Sequence, residues 1–412
     1  MKKPGLVPLM GSLFLVDLGT SMTAVALPLL LIQEYGTTLA AGVTLAVRLI
    51  PSIAAGPVVG RLLAERDPRC VAMVSSLFSA LFAGMIPLCR ALWQIQILTL
   101  AIGIGITVML AVPARLVMRP AVVSEGDELR GNGLLMAAQR VSTLAGPPLV
   151  GVIVIVGPHL WVAFLLEAVT ALFAAALILR IPPWRPTVNK SAGPGGAKDG
   201  RMLRKAYVTS TRALLRVISS DAFIRGATLT SFSYLLAVTL GRLMLLVMGA
   251  ERYSDISGFY GWMLAAMGAG GLCGSLLVAR FQRFSTGTLY VAVMLIEACG
   301  WLSLPWLPNF PAAMAVMSAI GIMESAGYVL YYAEVQIRVP TSVMGYYYAA
   351  LIPVGDACIF LGSAVGAWLA GVSVPAAALI VAGVMGIPML LTVGWYFAPP
   401  SGEGGRVATE PR

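Results

Sequence analysis

The chain is a succession of apolar runs, each long enough to cross a membrane. They fall at 6–33, 38–63, 71–91, 94–117, 132–157, 160–181, 222–248, 258–280, 286–307, 310–333, 343–370 and 374–397. An α-helix needs about 20 apolar residues to span a hydrocarbon core, and every run reaches that length. Charged residues make up 11% of the 412 positions, whereas soluble domains carry roughly 25%. So few charges do not cover a water-facing surface. The expected fold class is therefore an all-α membrane protein of about twelve transmembrane helices. The first segment, MKKPGLVPLMGSLFLVDLG, begins like a secretory leader. Its apolar run continues past Leu30, carries Asp17 and meets no small-residue cleavage site, so it is expected to be the first membrane helix.

The net charge of +10 is unevenly shared among the loops. Alternate loops hold Arg66 and Arg69; Arg119 and Arg130; Arg185, Lys190, Lys198, Arg201, Arg204 and Lys205; Arg280 and Arg283; and Arg338. The intervening loops hold little beyond Arg90 and Arg252. Basic residues collect on the cytoplasmic side, which predicts a multi-pass protein of the cell (inner or plasma) membrane with both termini cytoplasmic. No basic stretch is interleaved with base-stacking aromatics, so nucleic acid is not an expected partner. Segment 182–221 opens as a flexible linker, PPWRPTVNKSAGPGGAKDG. It continues as RMLRKAYVTSTRALLRVISS, which either lies on the anionic inner leaflet or forms a solvated linker helix. Residues 399–412 read as a disordered cytoplasmic tail. Cys70, Cys89, Cys273, Cys299 and Cys358 are scattered without a CxxC, and His159 is the one histidine. No disulfide framework, metal site or cofactor is expected from that set.

A repeat at an offset of 214 residues organises the chain. The second run ends Gly56-x-x-x-Gly60-x-Leu62-Leu63-x-x-Arg66-x-x-Arg69, and the eighth ends Gly270-x-x-x-Gly274-x-Leu276-Leu277-x-x-Arg280-x-x-Arg283. Gly131 and Gly345 open the fifth and eleventh runs at the same offset. Two copies in the same sense, six helices apart, imply two parallel halves. The expected organisation is a six-helix bundle over 1–181, the linker 182–221, a second six-helix bundle over 222–398 and the tail. Gly56/Gly60, Gly270/Gly274 and Gly362/Gly366 are small-residue pairs that let helix backbones approach closely.

Several stretches carry a family resemblance. TAVALPLLLIQEYGT in the first helix, PARLVMRPAVVSEGDELRGNGLLMAAQRVSTLAGPPLVG across the fourth and fifth, and YGWMLAAMGAGGLCGSLLVARF in the eighth are similar to exporters of the major facilitator superfamily. The branch is the drug and siderophore one, which includes macrolide-efflux and enterobactin-exporter proteins. GRLLAERDPRC resembles the family's G-x-L-A-D-R-x-x-R-R loop motif, with Gly60 one residue early, Glu65 for the usual Asp and Cys70 for the last basic residue. The resemblance assigns Gly60, Glu65, Arg66 and Arg69 to a cytoplasmic charge latch; a plain positive-inside loop is the alternative. AGPPLVG resembles the antiporter motif G-P-x-x-G-G through Gly146, Pro147 and Gly151, which favours export over uptake.

Mid-helix charges point to mechanism. Asp17, Arg48, Arg140, Glu297, Glu324 and Asp356 sit near helix centres, with Glu167 and Arg242 nearer the outer ends. Each would cost roughly 2.5–3.5 kcal/mol at a lipid-facing helix centre, so each must face protein, pair or lose its charge. Asp17 shares a helical stripe with Thr20, Ser21 and Ala24, and Glu324 shares one with Gly321, Tyr328 and Tyr331. The family fold implies that the first and tenth helices line a central cavity, and that the second and eleventh bring Arg48 near Asp356. Asp17, Glu324 and Asp356 are thus the proton-coupling candidates, with Arg48 and Arg140 as buried charge partners. Tyr328, Tyr331, Thr20 and Ser21 are the substrate-cavity candidates. Static ion pairs and ordinary helix packing are the alternative roles. Glu167 and Glu297 fall on helices peripheral in that fold, which implies structural roles.

The expected protein is a monomeric secondary transporter, held by membrane lipid. It would export a small amphipathic molecule (a drug, macrolide or siderophore-like compound) by alternating access, in antiport with protons. An uptake permease or facilitator of the same fold is one alternative. A polytopic membrane enzyme is another, but it would need clustered reactive groups, which the sequence does not display. A nucleotide-driven pump would need G-x-x-x-x-G-K-[ST], which is missing.

Overall fold

The computed structural model describes residues 4–35, 58–63, 65–87, 93–156, 160–183, 212, 215–252, 256–281, 283–369 and 373–398. They form eleven long helices: α1 (Leu6–Tyr35), α2 (Pro68–Met85), α3 (Trp93–Val122), α4 (Glu128–Val156), α5 (Trp161–Ile178), α6 (Ala222–Arg252), α7 (Ile256–Leu277), α8 (Thr286–Ser303), α9 (Phe310–Arg338), α10 (Thr341–Leu369) and α11 (Val374–Thr392). No strand occurs among the described residues. Of the helix expected at 38–63, only 58–63 is described, and Arg48, Gly56, most of the linker and the tail lie outside the described residues.

Ten of these helices are long and apolar enough to cross a membrane. The exception is α4, whose middle carries Gln139, Arg140, Ser142 and Thr143. Large apolar side chains such as Leu81, Phe173, Leu390 and Leu391 are turned outward. In a bilayer such surfaces meet lipid at no cost, while the helices satisfy their own backbone groups.

Local signals fix the helix ends. Asp67 caps α2 by accepting from the Arg69 amide at 3.0 Å, with Pro68 in the first turn, where a missing N–H costs nothing. Ser285 caps α8 through the Thr288 amide, and Asn309 caps α9 through the Ala312 amide. Of the helix ends that differ from the sequence expectation, two bear on the placement of charged residues. Helix α3 runs through Pro113 and Pro120 to Val122 rather than ending at 117. Arg119, expected in a loop, is therefore a buried helical residue. Helix α9 continues past 333 to Arg338 because Glu334 and Arg338 pair one turn apart at 2.5 Å.

The chain divides into two compact units. The first comprises 1–126, 141–214 and 341–353; the second comprises 127–140, 215–340 and 354–412. In the first unit α1 packs on α5, and α2 packs on α5 and α3. Its core gathers Met22, Ala26, Leu27, Ile86, Val150 and Phe164. In the second unit α6 packs on α11, and α8 packs on α11 and α9. The repeat relates α1 to α6, α2 to α8, α3 to α9 and α5 to α11. All three pairings of the first unit therefore recur in the second.

The second unit also joins α7 to α9 at backbone contact. A Cβ at Gly270 would strike the Ser318 carbonyl, one at Gly274 the Ile322 carbonyl, and one at Gly321 the Met267 carbonyl. Only glycine lets the two backbones come this close. Phe223, Tyr290 and Tyr396 close the same unit, with ring centroids 5.3–5.9 Å apart and a Thr230–Tyr396 hydroxyl contact of 2.9 Å.

Candidate functional site

The first unit encloses a cavity of about 200 Å³ between α1, α2, α3 and α5. Asp17, Thr20, Ser79, Thr107, Arg115 and Glu167 supply its polar lining, and Val16, Phe82, Ile86 and Val112 are among its apolar walls. Helical spacing puts Asp17 and Thr20 on one face of α1. Thr20 donates its hydroxyl to the Val16 carbonyl at 2.8 Å, leaving the acid as the ionisable group of that face. Arg115 is 4% exposed, interacts electrostatically with Asp17, and its Nε and Nη2 make no hydrogen bond. Glu167, 6% exposed, accepts a short hydrogen bond from Thr23 and a longer one from Ser79 at 3.4 Å. Among these lining residues two carboxyls stand against one guanidinium. A carboxyl in such a wall can take up a proton or meet a cationic group.

The second unit holds a different set. Arg140, at the end of the first half of α4, lies 2.8 Å from Glu324 of α9, an ion pair whose carboxylate is 4% exposed. Tyr328, one turn beyond Glu324, meets Tyr234 of α6 edge-on at 5.8 Å and stacks on Tyr332 at 6.1 Å. Buried Tyr331 packs against Tyr332 at 5.5 Å. Glu297 of α8 is fully buried within electrostatic reach of Glu324 and Arg140.

Several residues named from the sequence thus come together, although the groupings differ from those expected. Asp17 and Thr20 line the first-unit cavity; Arg140, Glu324 and Tyr328 form the second cluster. Ser21 turns aside, donating to the Leu18 carbonyl at 2.9 Å and the Ser142 carbonyl at 3.2 Å. Asp356 lies half-buried in the second half of α10, and its expected partner Arg48 is outside the described residues. Glu167, expected to be peripheral, belongs to the cavity. Arg115 escapes a reading of the sequence because the apolar run ends at 117, which puts this arginine at a membrane boundary.

Among the described residues, the charges of the loop motif pair locally. Glu65 pairs with Arg61 at 2.6 Å, Arg66 is exposed, and Arg69 pairs with Asp67 at 2.8 Å while donating to the Ile181 carbonyl at 2.5 Å. Partners one helical turn or one cap away win because they need no further ordering. Gly60 lies against Tyr346 and Ala349, where a Cβ would come within 3.0 Å of the ring. In the antiporter-like motif, Gly146 lets α4 rest on Ser21 of α1, Pro147 is exposed, and a Cβ at Gly151 would meet nothing within 4 Å.

Apolar spanning helices with ionisable groups held in their interior define a polytopic membrane protein of the kind that moves solutes. The family model of the Major Facilitator Superfamily matches residues 9–362, and the chain belongs to that superfamily. It is 23% identical, over 390 residues and 90% of each chain, to the multidrug efflux pump Tap of Mycolicibacterium fortuitum. Its fold is similar to that of the human organic anion transporter MFSD10 (TETRAN), with a TM-score of 0.76 at 14% identity over 94% of this chain and 98% of that one. A bacterial homologue of the iron transporter ferroportin, in an outward-facing state, gives 0.72 at 14% identity over 95% and 98%. The E. coli fucose:proton symporter FucP gives 0.69 at 15% identity over 96% and 98%. The chain is accordingly an all-α, multi-pass membrane transporter.

Proposed function

We propose that this transporter exports small amphipathic molecules of the drug, macrolide or siderophore-like kind, driven by proton antiport. It works as a monomer in the cell membrane, with both termini cytoplasmic, by alternating access between the six-helix halves 1–181 and 222–398. The observation that carries this reading is the first-unit cavity, where Asp17 and Glu167 face Arg115 within walls of Val16, Phe82, Ile86 and Val112. The apolar wall suits the greasy part of a substrate. A carboxyl of that lining suits a proton or a cationic substrate group, and the two compete for it. Competition for one charge is antiport in its simplest form. Glu324, paired with Arg140, is the corresponding acid of the second unit. The resemblance to an efflux pump supports export. FucP is a fucose:proton symporter, so uptake on the same fold is the second reading.

Inside-out vesicles with an acid interior decide between them. Export predicts accumulation of drug, macrolide or siderophore probes inside, collapsing when the gradient is dissipated. Asp17→Asn and Glu324→Gln keep shape while removing titration, and should abolish gradient-driven accumulation while leaving downhill exchange. Uphill transport with parental pH dependence in both variants would show these acids to be structural. Accumulation only in right-side-out vesicles would establish uptake instead.

A further inference from the structure

Glu297 is the most deeply buried acid among the described residues, at 0% exposure midway along α8, and the transport reading above does not use it. Neither of its carboxyl oxygens makes a hydrogen bond. The donors facing it are the Tyr234 hydroxyl of α6 and the indole Nε1 of Trp301, one turn further along α8. Both are themselves buried and make no hydrogen bond. The charged groups acting on Glu297 are Glu324 from α9 and Arg140 from α4; Tyr290 stands on its own helix. Helix α11, which also packs on α8, brings no ionisable residue.

These groups comprise two carboxyls and one guanidinium. Arg140 lies 2.8 Å from Glu324 and offsets its charge. An ionised Glu297 would add a second negative charge, buried and within reach of the first, and Arg140 is the one cation among the described residues that acts on it. Interiors do not hold an uncompensated carboxylate; the group keeps its proton.

We propose that Glu297 and Glu324 hold one proton between them against the single charge of Arg140. Glu297 carries it while Arg140 is paired with Glu324. When Arg140 turns toward Glu297, the proton passes to Glu324. One oxygen–hydrogen bond breaks on Glu297 and one forms on Glu324, with no other change in bonding. Tyr234, which interacts with both carboxyls, stands as the relay. Glu297 is thus an internal proton store behind Glu324, the acid that the proton-antiport reading already assigns to coupling and on which this inference rests.

Infrared spectroscopy of the full-length protein in phosphatidylcholine vesicles at neutral pH tests the store directly. The parental protein should show a protonated-carboxyl C=O stretch that moves on deuteration, and Glu297→Gln should remove it. Glu324→Gln leaves Arg140 only Glu297 to pair with, so that variant should lose the same band. A band that survives Glu297→Gln, or one that persists in Glu324→Gln, overturns the shared proton. In proteoliposomes with ethidium as probe, Glu297→Gln should lower the ratio of gradient-driven accumulation to gradient-free exchange. A ratio equal to the parental one overturns the coupling role. If the parental protein accumulates neither ethidium nor any drug, macrolide or siderophore probe under any gradient, the antiport reading is what fails, and the infrared bands still decide where the proton sits.

Discussion

At the scale of single residues, buried charge governs this molecule. Arg140 and Glu324 are far apart in sequence and sit on α4 and α9, yet they meet at 2.8 Å. Removing one partner of a buried pair strands the other, at a cost of about 3–5 kcal/mol. Arg140→Ala and Glu324→Ala should each lower the unfolding midpoint of the detergent-solubilised protein, while the double variant should lose less than the sum of the two. Strict additivity would mean that the two groups do not stabilise one another. The cost of a mid-helix charge in lipid is enough to single out Asp17, Arg140 and Glu324 from sequence, because position along a helix is readable from the apolar run. Partnership is not readable, because it depends on which helix faces which. For that reason a sequence reading leaves Arg140 without its acid, while the pairing expected of Arg48 with Asp356 lies outside the described residues. It also sets Glu167 apart from Asp17, although both line one cavity.

At the scale of helices, glycine spacing reports how near two backbones come. Gly270→Ala and Gly274→Ala would press a methyl group into the Ser318 and Ile322 carbonyls across the α7–α9 contact. Overpacking of this kind costs about 1–3 kcal/mol, so both variants should melt earlier. Gly261→Ala, on the same helix α7 with nothing within 4 Å of the new methyl, should be neutral or gain up to about 1 kcal/mol from helix propensity. Thermal unfolding of the three variants in one detergent checks the contrast; equal effects at all three sites would remove the packing explanation. The apolar runs make the helices legible, because lipid forces each span to satisfy its own backbone. Their ends are less so. Prolines usually mark a boundary, but Pro113 and Pro120 lie within α3 and carry it to Val122, which is why the sequence alone puts Arg115 and Arg119 too near the water.

At the scale of the whole molecule, the repeat read from Gly60, Arg66 and their counterparts reappears as packing, since α1·α5, α2·α5 and α2·α3 recur as α6·α11, α8·α11 and α8·α9. The boundaries between the two compact units also fall at matching places, after Arg140 in α4 and after Pro353 in α10, helices that the repeat relates to each other. Orientation in the membrane follows from a separate property, the sidedness of basic loops. Arg119 drops out of that count because it is buried in α3. Arg252 drops out too, as its guanidinium donates to the carbonyls of Pro305 at 3.0 Å and Leu307 at 2.6 Å. Arg338 drops out as well, paired with Glu334 in the last turn of α9. The asymmetry survives these losses. Exposed Arg66, Arg130, Arg280 and Arg283 remain on one set of loops, together with the basic segment through Lys198, and little basic charge remains on the other. Lys and Arg near helix ends hold their loops in the cytoplasm. A reporter fused after Lys198 should therefore be active only in its cytoplasmic form, and reporters at Pro158 and Asn309 only in their external form. Cys70, exposed at the start of α2 beside Arg69, should react with an impermeant maleimide in inside-out vesicles and stay unlabelled in intact cells. An external signal at Lys198 would invert every loop at once, and would turn the acid-inside vesicle experiment from a test of export into a test of uptake.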